Sequence, residues 1–135
     1  MLLKTSGLGQ AAMTERDWIL HVVHAFYQKA KDDVLIGYHF RIIKDFDTHI
    51  PRIATFWDLQ LLGSTQRPFT EPFDVMKVHI PLQIKRGELG RWLLLFRKTL
   101  DEETATRPEF TALKELWLTR LKFFEGVFLR FFGFE

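Results

Sequence analysis

Five histidines, two tyrosines and four tryptophans are the side chains of this 135-residue sequence whose chemistry goes beyond packing. There is no cysteine, so disulfides, thiolate metal sites and cysteine nucleophiles are excluded. His21 and His24 stand three apart, a helical spacing that suits two ligands to one metal. No carboxylate pattern or third ligand accompanies them, and surface or packing roles are expected instead. His39 falls beside Phe40 in a corner of the chain, where partial solvation is expected. His49 and His79 are different. His49 lies in the first turn of an amphipathic segment, next to its apolar face. His79 ends the run Phe73-Asp-Val-Met-Lys-Val-His, with Val75, Met76 and Val78 around it. An imidazole so placed is either a metal donor or a hydrogen-bonded structural group, and spacing alone favours the second.

The elements that must position these groups read as helices throughout, because no segment shows the alternation of a strand. Thr14 followed by Asp17 predicts a helix start, after which Trp18, Val22, Phe26 and Ala30 recur at helical spacing. Residues 34–40, with Gly37, predict a corner. A second helix is expected with Asp47 or Thr48 as its cap, which puts Pro51 in the first turn. Its apolar face is Ile50, Ile53, Phe56 or Trp57, and Leu61, ending at Gly63. Phe73–Ile80 predicts a short apolar helix stopped by Pro81. Leu89, Trp92 or Leu93, Phe96 and Leu100 mark a helix over roughly 87–103. Pro108 opens the last helix, with a core stripe of Phe110, Leu113, Trp117, Leu121, Phe124, Phe128 and Phe131. Leu116, Phe123, Val127 and Phe134 form a second stripe beside it. The expected organisation is all-α: a flexible leader over 1–13 and one domain over 14–135.

Composition bounds the partners. Apolar residues make up 47% of the chain, enough for a core without staples. A net charge of +2 with both signs interspersed gives no footprint for nucleic acid. The first residues lack the apolar run of a secretory signal, and no stretch has the length of a membrane span. A cytoplasmic protein is expected. Fourteen phenylalanines among twenty aromatic residues either fill a core or line a pocket for a large flat apolar ligand.

Taken in order, Phe26-Tyr27, Phe40, His49, Arg52, Phe56-Trp57, Leu61-Leu62-Gly63, His79 and Trp92-Leu-Leu-Leu95-Phe96 resemble the truncated haemoglobins of group III. The similarity spans roughly residues 24–102. It rests on order and spacing: thirteen residues from Tyr27 to Phe40, eight from His49 to Trp57, then a histidine ending a short helix and a tryptophan on the next. Two intervals depart from the pattern. The connection from Gly63 to His79 is long, and that from His79 to Trp92 is about a residue short.

The resemblance implies a globin-like, two-over-two helical sandwich around haem b, with His79 as the axial iron ligand. It implies that Phe40, Ile53, Phe56, Met76 and Phe96 cover the porphyrin, while Arg52, and Lys77 more weakly, meet its propionates. Tyr27, His49 and Trp92 would surround a diatomic ligand, O2 or NO, as hydrogen-bond donors. That polar set suits NO dioxygenase-like or peroxidase-like chemistry with a separate reductase better than oxygen transport. Two other classes stand beside it: a haem-based gas sensor working through a partner protein, and a haemless globin-like interaction module. The second stripe on the last helix is read as a homodimer contact, against the alternative that the N-terminal segment covers it.

Overall fold

The Thr14 hydroxyl accepts the Asp17 amide at 3.0 Å, and α1 (Glu15–Ala30) starts from that cap, as its sequence predicts. In the computed structural model, which describes residues 12–67, 79 and 82–134, five α-helices carry nearly all the order. After α1 come α2 (Gly37–Arg41), α3 (Phe46–Leu62), α4 (Arg86–Thr106) and α5 (Thr111–Phe131), the last preceded by a 3-10 turn at Pro108–Phe110. The described residues contain no strand. None of their helices is long and apolar enough to cross a membrane. His79 is helical, but the remainder of the expected Phe73–Ile80 helix, including Met76 and Lys77, lies outside the described residues, as do residues 1–11 of the expected leader.

Helix α1 packs between α3 and α4, and α5 closes the other side of both. The centre is aromatic. Trp18 stacks on Phe110 with ring centroids 5.0 Å apart and meets Trp117 edge-on at 6.0 Å. Trp117 in turn touches Trp57 at 5.3 Å and Phe96 at 5.4 Å. Trp18 and Trp117 have no solvent exposure at all, so four separate segments of the chain lock through one ring cluster.

Polar ties fix how the helices meet. Arg16 of α1 reaches the Ser64 carbonyl at 2.6 Å, just past the end of α3. Arg67 returns to the Arg16 carbonyl and pairs with the fully buried Asp58 at 3.0 Å, where Thr65 donates a further bond of 2.8 Å. At the far end of α1, Asp33 accepts the Leu35 and Ile36 amides at 3.0 and 3.2 Å. Its other oxygen takes both Arg91 nitrogens, at 2.9 and 2.6 Å, binding the α1–α2 corner to α4. The Arg91 bonds, helped by those amides and opposed by burial, hold the Asp33 carboxyl below its ordinary range.

Three sequence expectations are corrected. The N-cap of α3 is Asp45, not Asp47 or Thr48: its side chain accepts both the amide and the hydroxyl of Thr48, at 3.2 and 2.8 Å. The helix therefore begins earlier, and Pro51 falls in the second turn. There it deprives the exposed Asp47 carbonyl of a helical donor, an end that water can satisfy. Helix α4 runs on to Thr106, beyond the expected end near 103, with the buried Thr104 hydroxyl bonded back to the Leu100 carbonyl. On α5 the core stripe is buried from Phe110 to Phe128, but Phe131 is 53% exposed. The step of four after Phe128 leads to Phe132, whose ring lies 6.1 Å from that of Phe128.

Candidate functional site

Where the tryptophan cluster ends, the same helices leave a cavity of about 240 Å³. Its walls come from every part of the fold. Tyr27 stands on the last turns of α1, Phe40 on α2, and His49, Arg52, Ile53 and Phe56 on α3. Trp92 and Phe96 come from α4, and His79 from the chain between α3 and α4. Nine side chains singled out from the sequence thus line one space. Met76 and Lys77 belong to the residues that are not described. The wall is mostly aromatic and aliphatic, and the exposed Ile42 marks an edge where it meets solvent.

The polar groups in this wall are few and organised. The Tyr27 hydroxyl lies 2.9 Å from His49 Nε2. Phe40 and Phe46 meet the tyrosine ring edge-on at 5.2 and 6.0 Å, which leaves its rotation little room. Burial pushes the Tyr27 hydroxyl well above its usual range, so it is a neutral phenol at any ordinary pH. His49 is half-buried. Burial first, and then the positive charges of Arg52 and His79, hold its imidazolium below the ordinary value of 6.5. His49 is therefore neutral at pH 7. His49 and His79 both line this cavity, and a charge on His79 disfavours one on His49. The His79 ring itself rests 5.2 Å from that of Phe128 on α5.

A second polar station was not foreseen. His39 and Glu88 also line the cavity. Glu88 Oε1 accepts from the Lys85 amide at 2.9 Å and from His39 Nε2 at 3.1 Å, while Oε2 accepts the Tyr38 hydroxyl. Burial pushes Glu88 up, but these three donors together hold its carboxyl below its ordinary value. The carboxylate thus binds α2 to the start of α4 at the rim. Glu88 was not singled out from the sequence, and nothing there linked it to His39. Phe124 and Phe128 were read only as core, yet both also face the cavity.

The remaining histidines stand apart from this site. His21 pairs with Glu103 of α4 at 2.5 Å and is half-exposed, and His24 is exposed. No group of three or more metal-binding side chains assembles among the described residues. The cavity can therefore offer single imidazoles to a metal that brings its other ligands with it, as a macrocycle does. Comparisons of the chain with family models, with curated proteins and with solved structures gave no match.

Proposed function

We propose that this chain is a haem protein of the globin type, with a truncated two-over-two fold, that binds a diatomic ligand such as O2 or NO. The observation that carries the reading is the convergence of His49, His79, Tyr27, Arg52 and Trp92 on one aromatic-walled cavity. An all-apolar cavity would serve packing alone. Two imidazoles in the wall of one cavity, with a neutral phenol on one of them, suit a metal that carries its own equatorial ligands.

The residues present fit haem b on the chemistry of their donors. His79 would hold the iron. Phe40, Ile53, Phe56 and Phe96 would cover the macrocycle, joined by Met76. The exposed Arg52 guanidinium, with Lys77, would meet the propionates at the solvent edge. Haem when bound supplies an iron atom with an open coordination position and redox chemistry. The protein supplies a mostly apolar wall and donors drawn from Tyr27, His49 and Trp92, the Tyr27–His49 bond leaving at most one of that pair to donate, each bond worth about 1 kcal/mol to a polar diatomic guest. Such retention favours NO dioxygenase-like or peroxidase-like turnover in the cytoplasm with a reductase over rapid oxygen delivery. A partner-dependent gas sensor would use the same site.

The test is spectroscopic. Purified protein supplied with haem should show a Soret band, and His79→Gly should lose haem or recover it with added imidazole. An unchanged spectrum in that variant would overturn the iron assignment, and failure to bind haem at all would leave the interaction-module reading.

We also propose a homodimer through the second stripe of α5, supported by the exposure of Leu116 and Phe123, at 42% and 51%, while Val127 and Phe134 of that stripe are half-buried. Sedimentation of wild type against a Phe123→Ser, Val127→Ser variant checks it, and a monomeric wild type at micromolar concentration rejects it.

A further inference from the structure

Tyr27 and His49 touch each other before they touch anything that enters the cavity, and the consequence does not depend on which of them donates. The hydroxyl oxygen and Nε2 are 2.9 Å apart, a full hydrogen bond. His49 is neutral, so one ring nitrogen bears a proton and the other a lone pair. If Nε2 is the acceptor, its lone pair is directed at the tyrosine O–H. If Nε2 is the donor, it has no lone pair to offer. In both tautomers this nitrogen is engaged, and ligating a metal through it would first cost that bond.

We infer that Tyr27 is a positioning residue that withholds His49 from the iron, so that His79 is the sole protein ligand and the opposite face stays open. The inference rests on the haem reading above. Its physical basis is the rigidity of the tyrosine. The ring is fixed edge-on by Phe26, Phe40 and Phe46, at centroid distances of 5.8, 5.2 and 6.0 Å. Its hydroxyl therefore stays where His49 needs it. His49 is fixed in turn by its helix, its amide bonded to the Asp45 cap carbonyl at 3.0 Å. Without the hydroxyl, a neutral imidazole would face the same cavity as His79 with Nε2 unengaged.

The conservative variant Tyr27→Phe keeps the ring packing and removes only that bond. Haem-loaded wild type should show the five-coordinate ferrous spectrum. Tyr27→Phe should shift toward the six-coordinate, low-spin spectrum of two axial imidazoles, and carbon monoxide should associate about tenfold more slowly because it must displace His49. The double variant Tyr27→Phe, His49→Gln should return to five-coordinate. A merely structural tyrosine would alter stability without this reversal. The inference is overturned by a six-coordinate wild type that His49→Gln converts to five-coordinate, or by a Tyr27→Phe spectrum identical to wild type. Absence of a Soret band in wild type supplied with haem would instead overturn the haem reading on which the inference depends.

Discussion

The two ends of this helical core are built from the same residue types and come out differently. At one end Trp18, Phe110, Trp57 and Trp117 interlock with centroids 5.0–6.0 Å apart and no space between them. At the other, Phe26, Phe40, Phe56, Trp92 and Phe96 stand around a cavity. Some rings belong to both: Phe96 touches Trp117 at 5.4 Å and Phe26 at 4.7 Å. Aromatic content therefore does not separate a packed core from a lined one. Polar company does. Tyr27, His49, His79, His39, Glu88 and Arg52 gather at the open end. At the closed end the indole N–H groups of Trp18 and Trp117 have no hydrogen-bond partner among the described residues, a desolvation cost that the ring packing has to offset.

The largest test of this contrast is Trp117→Ala. Removing a fully buried indole from the closed end should cost about 3–5 kcal/mol in denaturant unfolding. A loss under about 1 kcal/mol would mean that the cluster is loosely packed. Ile53→Ala, on the wall of the open end, should cost only about 1 kcal/mol in the haem-free chain, since the half-buried side chain already borders space. If the proposed haem site is right, it should nevertheless speed haem loss to apomyoglobin. Equal costs at both sites would erase the distinction between the two ends.

The smallest effect concerns pH. His49 has a folded-state pKa below its ordinary value of 6.5, so the unfolded chain takes up a proton first as pH falls. This residue's contribution to stability is complete above that value and declines as pH drops through it toward the folded pKa. Stability of His49→Gln should therefore fall less than wild type between pH 7 and 5. Parallel curves would show that His49 is not held neutral by the fold.

Much of the fold was legible because helical periodicity is a local signal. The Thr14 cap, the face from Ile50 to Leu61 and the stop at Gly63, whose φ of +77° suits glycine, all lie within a few residues of their causes. The α3 start was less so, since Asp45, Asp47 and Thr48 are all competent caps and only the folded backbone selects Asp45. The exposure of Phe131 follows from the registry of α5 against its neighbours, which a stripe of threes and fours leaves undetermined near its end. The grouping of the cavity residues was anticipated through the resemblance over roughly residues 24–102, which rests on the order and spacing of several residues together. The contact between His39 and Glu88 spans 49 positions, and helical periodicity carries no signal over that range, so nothing pointed to the pair.

Gly37 gives the α1–α2 corner an unequal tolerance to change. A methyl group added there would stand 2.7 Å from the Lys31 carbonyl oxygen and would collide with the Arg41 guanidinium, which itself donates to that carbonyl at 2.9 Å. Gly87 and Gly90 on α4 would accept the same methyl without meeting anything within 4 Å. Under random mutation and selection for the folded chain, alanine should thus accumulate at 87 and 90, where it favours the helix by up to about 1 kcal/mol, and be purged at 37. The missing side chain sets the distance between α1 and the helix that carries Phe40. Descendants of this sequence could lengthen loops or recolour their surface with little consequence, but the gap at that corner is a dimension they would have to inherit unchanged.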